Sequence, residues 1–142
     1  MSSGYLYAVG AAITWGLVYT LDQRILRGAS PFTLLFIDSI ITAVVLLPIL
    51  FIDRSSISSL FTLSGKTWIL IILSLVLAAL ANFLIFSSIK ILGASTASIF
   101  EIAYPFFVVI FTYLIFQTTP SLFFLLGAFL IFSGASIIVL FH

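Results

Sequence analysis

Five apolar runs separated by four short polar connections set the pattern of this chain, over about residues 5–21, 32–51, 68–89, 95–116 and 121–141. Each is about seventeen to twenty-two residues long, and at ~1.5 Å per residue a helix of that length crosses the hydrocarbon core of a bilayer. The apolar positions within each run are continuous, unlike the ten-residue alternating segments of a membrane β-barrel. Only helices and closed barrels satisfy their backbone polar groups inside lipid. The pattern therefore predicts an all-α integral membrane protein with five transmembrane helices in a single domain over residues 1–142.

The connections carry the expected punctuation. Tyr5 and Tyr7 open the first run at headgroup level, with no basic segment ahead of them and no small-residue cleavage site, so this run is expected to be retained as a helix. The polar LDQRILRGASP stretch is the first connection, and Pro31 opens the second helix, where its missing N–H has no intrahelical partner. Pro48 is expected to kink or end that helix. Residues 52–67 are serine-rich but interrupted by Ile57, Leu60, Phe61 and Leu63, which suits a short amphipathic turn lying in the interface. Trp68 and Lys90 bracket the third run, Lys90 snorkelling to the interface. A tight ILGAS turn leads to the fourth run, and Gln117–Pro120 to the fifth.

Composition agrees: 63% of the residues are hydrophobic, 6% are charged and the mean hydropathy is +1.42, against about half apolar and a quarter charged in soluble domains. There is no cysteine, and His142 is the only histidine, so neither a disulfide framework nor a metal centre is expected. With five scattered basic residues there is no stripe for nucleic acid. No Ser/His/Asp set and no lysine-anchored glycine loop is present, so an enzyme is not expected, and no cofactor is implied.

Loop charges speak to orientation. Arg24, Arg27 and Lys90 fall on the side reached by the first and third connections, and Arg54 and Lys66 on the other. A three-to-two split is almost no positive-inside bias, the pattern of a protein that inserts both ways round. A single orientation with the first side cytoplasmic is the alternative.

The polar residues within the runs are the candidate chemistry. Glu101 lies in the fourth run, and an acid there is a functional candidate by default. Counted from the run ends, Glu101, Asp38, Trp15 and Asn82 all fall ~9 to 11 Å in from the same side, as the walls of one cavity would. Tyr104 joins them as a substrate- or proton-binding candidate. Each has a packing alternative: Glu101 as protonated interhelical glue, Asp38 as an ion-pair partner of Arg24 or Arg27, Asn82 as a packing amide, Trp15 as a packing indole unless the substrate is cationic or planar. Pro105, one turn after Glu101, removes the N–H that would bond its carbonyl and kinks the helix there. Gly93, Ala97, Gly127 and Gly134 belong to small-residue faces that let helices approach closely.

These residues resemble a known family. The alanine-rich third run from Leu80, the GASTASIFEIAYPFF segment and the closing LLGAFLIFSGASIIVL are similar to the second part of an EamA-type repeat of the drug/metabolite transporter superfamily. Trp15-Gly16 resembles the family's first-helix WG pair, and Pro105 its mid-helix proline. Gln117 stands where that family has an acid, and Asp38 near where it usually has an arginine. The resemblance implies a single five-helix repeat, whereas most members look like two such repeats inverted relative to each other. Transport by alternating access would then require a second copy of this chain, an antiparallel homodimer fitting the balanced loop charges.

The resulting expectation is a small-molecule transporter, for a metabolite or drug-like substrate with cations among the candidates, in a prokaryotic inner or cell membrane. Proton and substrate would compete for Glu101. A non-transporting membrane scaffold or accessory subunit, and a flippase for a lipid-linked substrate, stay open beside it.

Overall fold

Ser30 shows how the chain turns polar connections into helix starts: its hydroxyl accepts from the Thr33 N–H at 3.0 Å, and Pro31 follows as the first helical residue. Ser64 repeats the device, its hydroxyl accepting from the Thr67 N–H at 3.2 Å. The computed structural model describes residues 3–141, and the side chains among them except at 54–56, 60 and 139–141. His142 and the basic group of Arg54 therefore lie outside the described residues.

Seven helices follow in order: α1 Ser3–Ile25, α2 Pro31–Ile52, α3 Arg54–Thr62, α4 Gly65–Leu92, α5 Ala94–Glu101, α6 Tyr104–Phe116 and α7 Leu122–Phe141. No strand occurs among the described residues. The fold is all-α. By length and apolarity α1, α2, α4 and the stretch Ala94–Phe116 can each cross a membrane, and α7 contributes a shorter apolar stretch, Leu122–Ile138.

Three boundaries differ from the sequence reading. First, α1 continues through Asp22, Gln23 and Arg24 to Ile25, because the polar LDQR segment contains no glycine or proline to stop it before Gly28. Second, α2 runs past Pro48 to Ile52, where the Asp53 N–H closes on the Ile49 carbonyl at 3.0 Å; Pro48 does not end the helix. Third, the fourth apolar run is two helices, broken at Ile102 and Ala103. In residues 52–67, where a short amphipathic turn is expected, α3 forms a helix of nine residues.

The chain divides into two compact units, residues 1–20 with 91–142, and residues 21–90. In the first, Ala94, Ala97 and Ala128 are the buried apolar side chains among the described residues, and Phe106 packs on Phe132 with ring centroids 6.3 Å apart. In the second, Leu26, Phe86 and Ile89 are buried, and Lys90 Nζ donates to the Ala29 carbonyl at 2.7 Å, tying the end of α4 to the α1–α2 connection. Most large apolar side chains face outward; Phe123 is 85% exposed. Surface of that kind is covered by lipid in a membrane protein.

Gly93 joins α4 to α5 with φ 84° and ψ 160°, a conformation essentially reserved for glycine. Its role in this connection is conformational. Ala97 is fully buried. A Cβ added at Gly127 or Gly134 meets nothing within 4 Å among the described residues.

Candidate functional site

The break in the fourth span puts Glu101 at a helix end. It is the last residue of α5, and Pro105 is the second helical residue of α6, after the N-cap Ala103. Ile102 and Ala103 keep right-handed backbones with ψ of −11° and −12°, and the Ala103 N–H turns back onto the Phe100 carbonyl at 3.2 Å, an i→i−3 bond that tightens the chain. Pro105 has no N–H to give to the carbonyl four residues back, which belongs to Glu101. The expected kink is thus a full interruption, with an acid and its own backbone acceptor at the end of the first half-helix.

The Glu101 side chain is half-buried and engaged. Tyr19 Oη donates to Glu101 Oε2 at 2.5 Å, joining residues 82 positions apart within one unit. Trp15, one turn earlier on α1, stands beside Tyr19 with ring centroids 5.5 Å apart and planes tilted by 57°. An indole, a phenol and a carboxyl therefore follow one another in this unit. Sequence position singles out Trp15 and Glu101 but not Tyr19, which links them. Tyr19 is one of five tyrosines in an aromatic-rich chain, and its only marker is its place one turn after Trp15 on the same face.

Tyr104 begins α6 and is 62% exposed, with no hydrogen bond from its hydroxyl among the described residues. Asp38 and Asn82 belong to the other unit. Asp38 is exposed on α2 and forms no ion pair with Arg24 or Arg27 among the described residues; Asn82 is half-buried on α4. Counted from the observed helix ends, Glu101 and Asp38 stand seven residues in, ~10 Å, whereas Trp15 and Asn82 stand ten residues in, ~15 Å. α1 and α4 extend further than the apolar runs do, so these counts differ from those taken from the run ends.

Gln117, standing where the resemblance leads one to look for an acid, closes α6. It adopts a left-handed backbone at φ 55°, its N–H bonds the Tyr113 carbonyl at 2.9 Å and its Nε2 donates to the Leu114 carbonyl at 3.2 Å. An amide can donate to that orphan carbonyl; a carboxylate cannot.

Among the described residues no group of three or more His, Asp or Glu side chains is placed to hold a metal ion. What stands at the break of the fourth span is an acid on an interrupted helix, hydrogen-bonded to Tyr19, with Trp15 next to Tyr19.

The family model that matches describes an EamA-like transporter family, over residues 2–140. The chain belongs to the EamA-like transporter family. Comparison with curated proteins and with solved structures finds no match. Membership makes it an integral, multi-pass membrane protein of a family of small-molecule transporters, and that family is one of transporters rather than enzymes. In this EamA-like chain the fourth span is discontinuous at Ile102 and Ala103, with Glu101 at the end of its first half.

Proposed function

We propose that this protein is a proton-coupled transporter of a small cationic metabolite or drug-like molecule, working as an antiparallel homodimer by alternating access in a prokaryotic cell membrane. The observation that carries the reading is Glu101 at the end of α5, beside the helix break and hydrogen-bonded to Tyr19. A carboxyl and a backbone carbonyl without its helical partner form a site for positive charge, and unwound carbonyls at half-helix ends serve that purpose in transporters. The Trp15 and Tyr19 rings add faces on which an organic cation gains further attraction.

Substrate and proton exchange at Glu101 in this mechanism. When the cation leaves, the carboxyl takes a proton and keeps its bond to Tyr19; when the cation returns, the proton is released to the other side. Support for a second copy comes from the near-balanced loop charges and from the small-residue face of α7, where Gly127 and Gly134 have open space beside them.

Reconstitution in proteoliposomes tests the reading. With a proton gradient across the membrane and a panel of organic cations, wild-type protein should accumulate at least one of them, and Glu101→Gln should abolish the gradient-driven component. Undiminished coupled transport in Glu101→Gln removes Glu101 from the mechanism, and inactivity of the wild-type protein toward the whole panel favours the scaffold reading.

A further inference from the structure

Within the unit of residues 21–90, the α1–α2 connection gathers three basic side chains that the Glu101 site does not use. Arg24 lies in the last turn of α1, Arg27 follows in the connection, and Lys90 lies in the last turn of α4. Backbone bonds fix how the first two stand. The Leu26 N–H bonds the Asp22 carbonyl at 2.8 Å and the Ala29 N–H bonds the Ile25 carbonyl at 3.0 Å, so the chain keeps a helical course here. Residues three apart on such a course are neighbours, which puts Arg24 and Arg27 on one face. Lys90 reaches the same stretch from α4: its Nζ donates to the Ala29 carbonyl at 2.7 Å, two residues from Arg27. Leu26 and Ile89, next in sequence to Arg27 and Lys90, are buried and anchor both segments.

No counter-charge from the chain meets these cations. Arg24, Arg27 and Lys90 are exposed, and none forms an ion pair among the described residues. From Leu21 to Phe32 the only acid is Asp22, which is buried. The guanidinium N–H groups, and the ammonium donors that Ala29 does not take, are available to an acceptor from outside. The side chains flanking them are apolar: Leu21, Ile25, Phe32 and Phe36 are all exposed. A free anion would gain from the cations and nothing from these neighbours. A phospholipid gains from both, its phosphate meeting the donors and its acyl chains the apolar side chains.

We infer that Arg24, Arg27 and Lys90 form a headgroup site for an anionic phospholipid, with the phosphodiester as the group recognised. The planar fork of arginine matches two phosphate oxygens, and lysine adds a point charge. The site shares no residue with the Glu101 site, and the inference does not depend on transport. It also changes the meaning of the loop charges. A three-to-two split is nearly balanced as a count, but the three on one side converge on a single connection.

The test is native mass spectrometry of the full chain in detergent, titrated with phosphatidylglycerol in one arm and phosphatidylcholine in a second. A third arm adds excess inorganic phosphate to the phosphatidylglycerol complex. The wild-type protein should bind phosphatidylglycerol more tightly than phosphatidylcholine, and inorganic phosphate should not displace it. Arg24→Gln with Arg27→Gln changes only exposed side chains; it should weaken phosphatidylglycerol binding about twenty-five-fold, at about fivefold per charge, and leave phosphatidylcholine binding unchanged. Lys90→Gln should weaken it about fivefold, and Lys90→Arg, which keeps the charge, should not. Arg54→Gln with Lys66→Gln removes as much charge elsewhere and should change nothing. Equal affinity of the wild-type protein for the two lipids, displacement by inorganic phosphate, or an Arg24/Arg27 variant that binds like wild type would overturn the site. So would an equal loss in the Arg54/Lys66 variant, since net charge alone would then explain the preference.

Discussion

Tyr19 on α1 donates its phenol proton to Glu101 at the end of α5, so the acid that marks the fourth span is held by the first. The bond fixes the carboxyl against α1 rather than leaving it among lipid tails. It also places the Trp15 ring, which packs on Tyr19, next in line.

Tyr19→Phe keeps the ring against Trp15 and deletes only the donor. A lost side-chain hydrogen bond at a half-buried acid costs about 1 to 1.5 kcal/mol, which corresponds to about a tenfold change in affinity. The variant should therefore retain transport with about tenfold weaker half-saturation for the organic cation in proteoliposome uptake. Unchanged half-saturation would mean that the bond is structural only.

Pro105→Ala addresses the break. Alanine restores an N–H at the position able to bond the Glu101 carbonyl and favours a continuous α5–α6 helix. Amide hydrogen exchange at residues 103, 104 and 106 should slow, and cation uptake should fall, because the freed acceptor beside Glu101 is lost. Unchanged exchange with full uptake would show that the break does not depend on Pro105.

Much of the fold is legible in the sequence and some is not, for physical reasons. Continuous apolar runs identify membrane helices whatever their neighbours, so α1, α2 and α4 and the apolar extent of the fourth span can be read from period and length alone. Helix ends cannot, because polar residues such as Asp22 and Arg24 are as compatible with a last helical turn as with a loop. Glu101 stands out through its charge and Pro105 through its missing N–H. Tyr19 does not, since nothing local says which residue 82 positions away a phenol will meet.

Gly93→Ala tests a backbone requirement. With φ 84° and ψ 160° the residue sits where a Cβ clashes with the chain's own backbone, at a cost of order 1 to 3 kcal/mol. The alanine variant should unfold at lower denaturant concentration in detergent by a corresponding amount. Stability equal to wild type would show that the connection relaxes into an ordinary turn.

The face of α7 separates packing within one chain from packing between copies. A Cβ added at Gly127 or Gly134 meets nothing within 4 Å, so alanine at both positions should leave the helical signal in circular dichroism unchanged and add up to ~1 kcal/mol of helix propensity each. If a second copy uses this small-residue face, the added methyls hold the two backbones apart and weaken close association. The double variant should then show less crosslinked dimer in lipid while melting no earlier as a monomer. A dimer fraction equal to wild type would place the interface on another helix, and an earlier melt would show that the glycines serve the fold of the single chain.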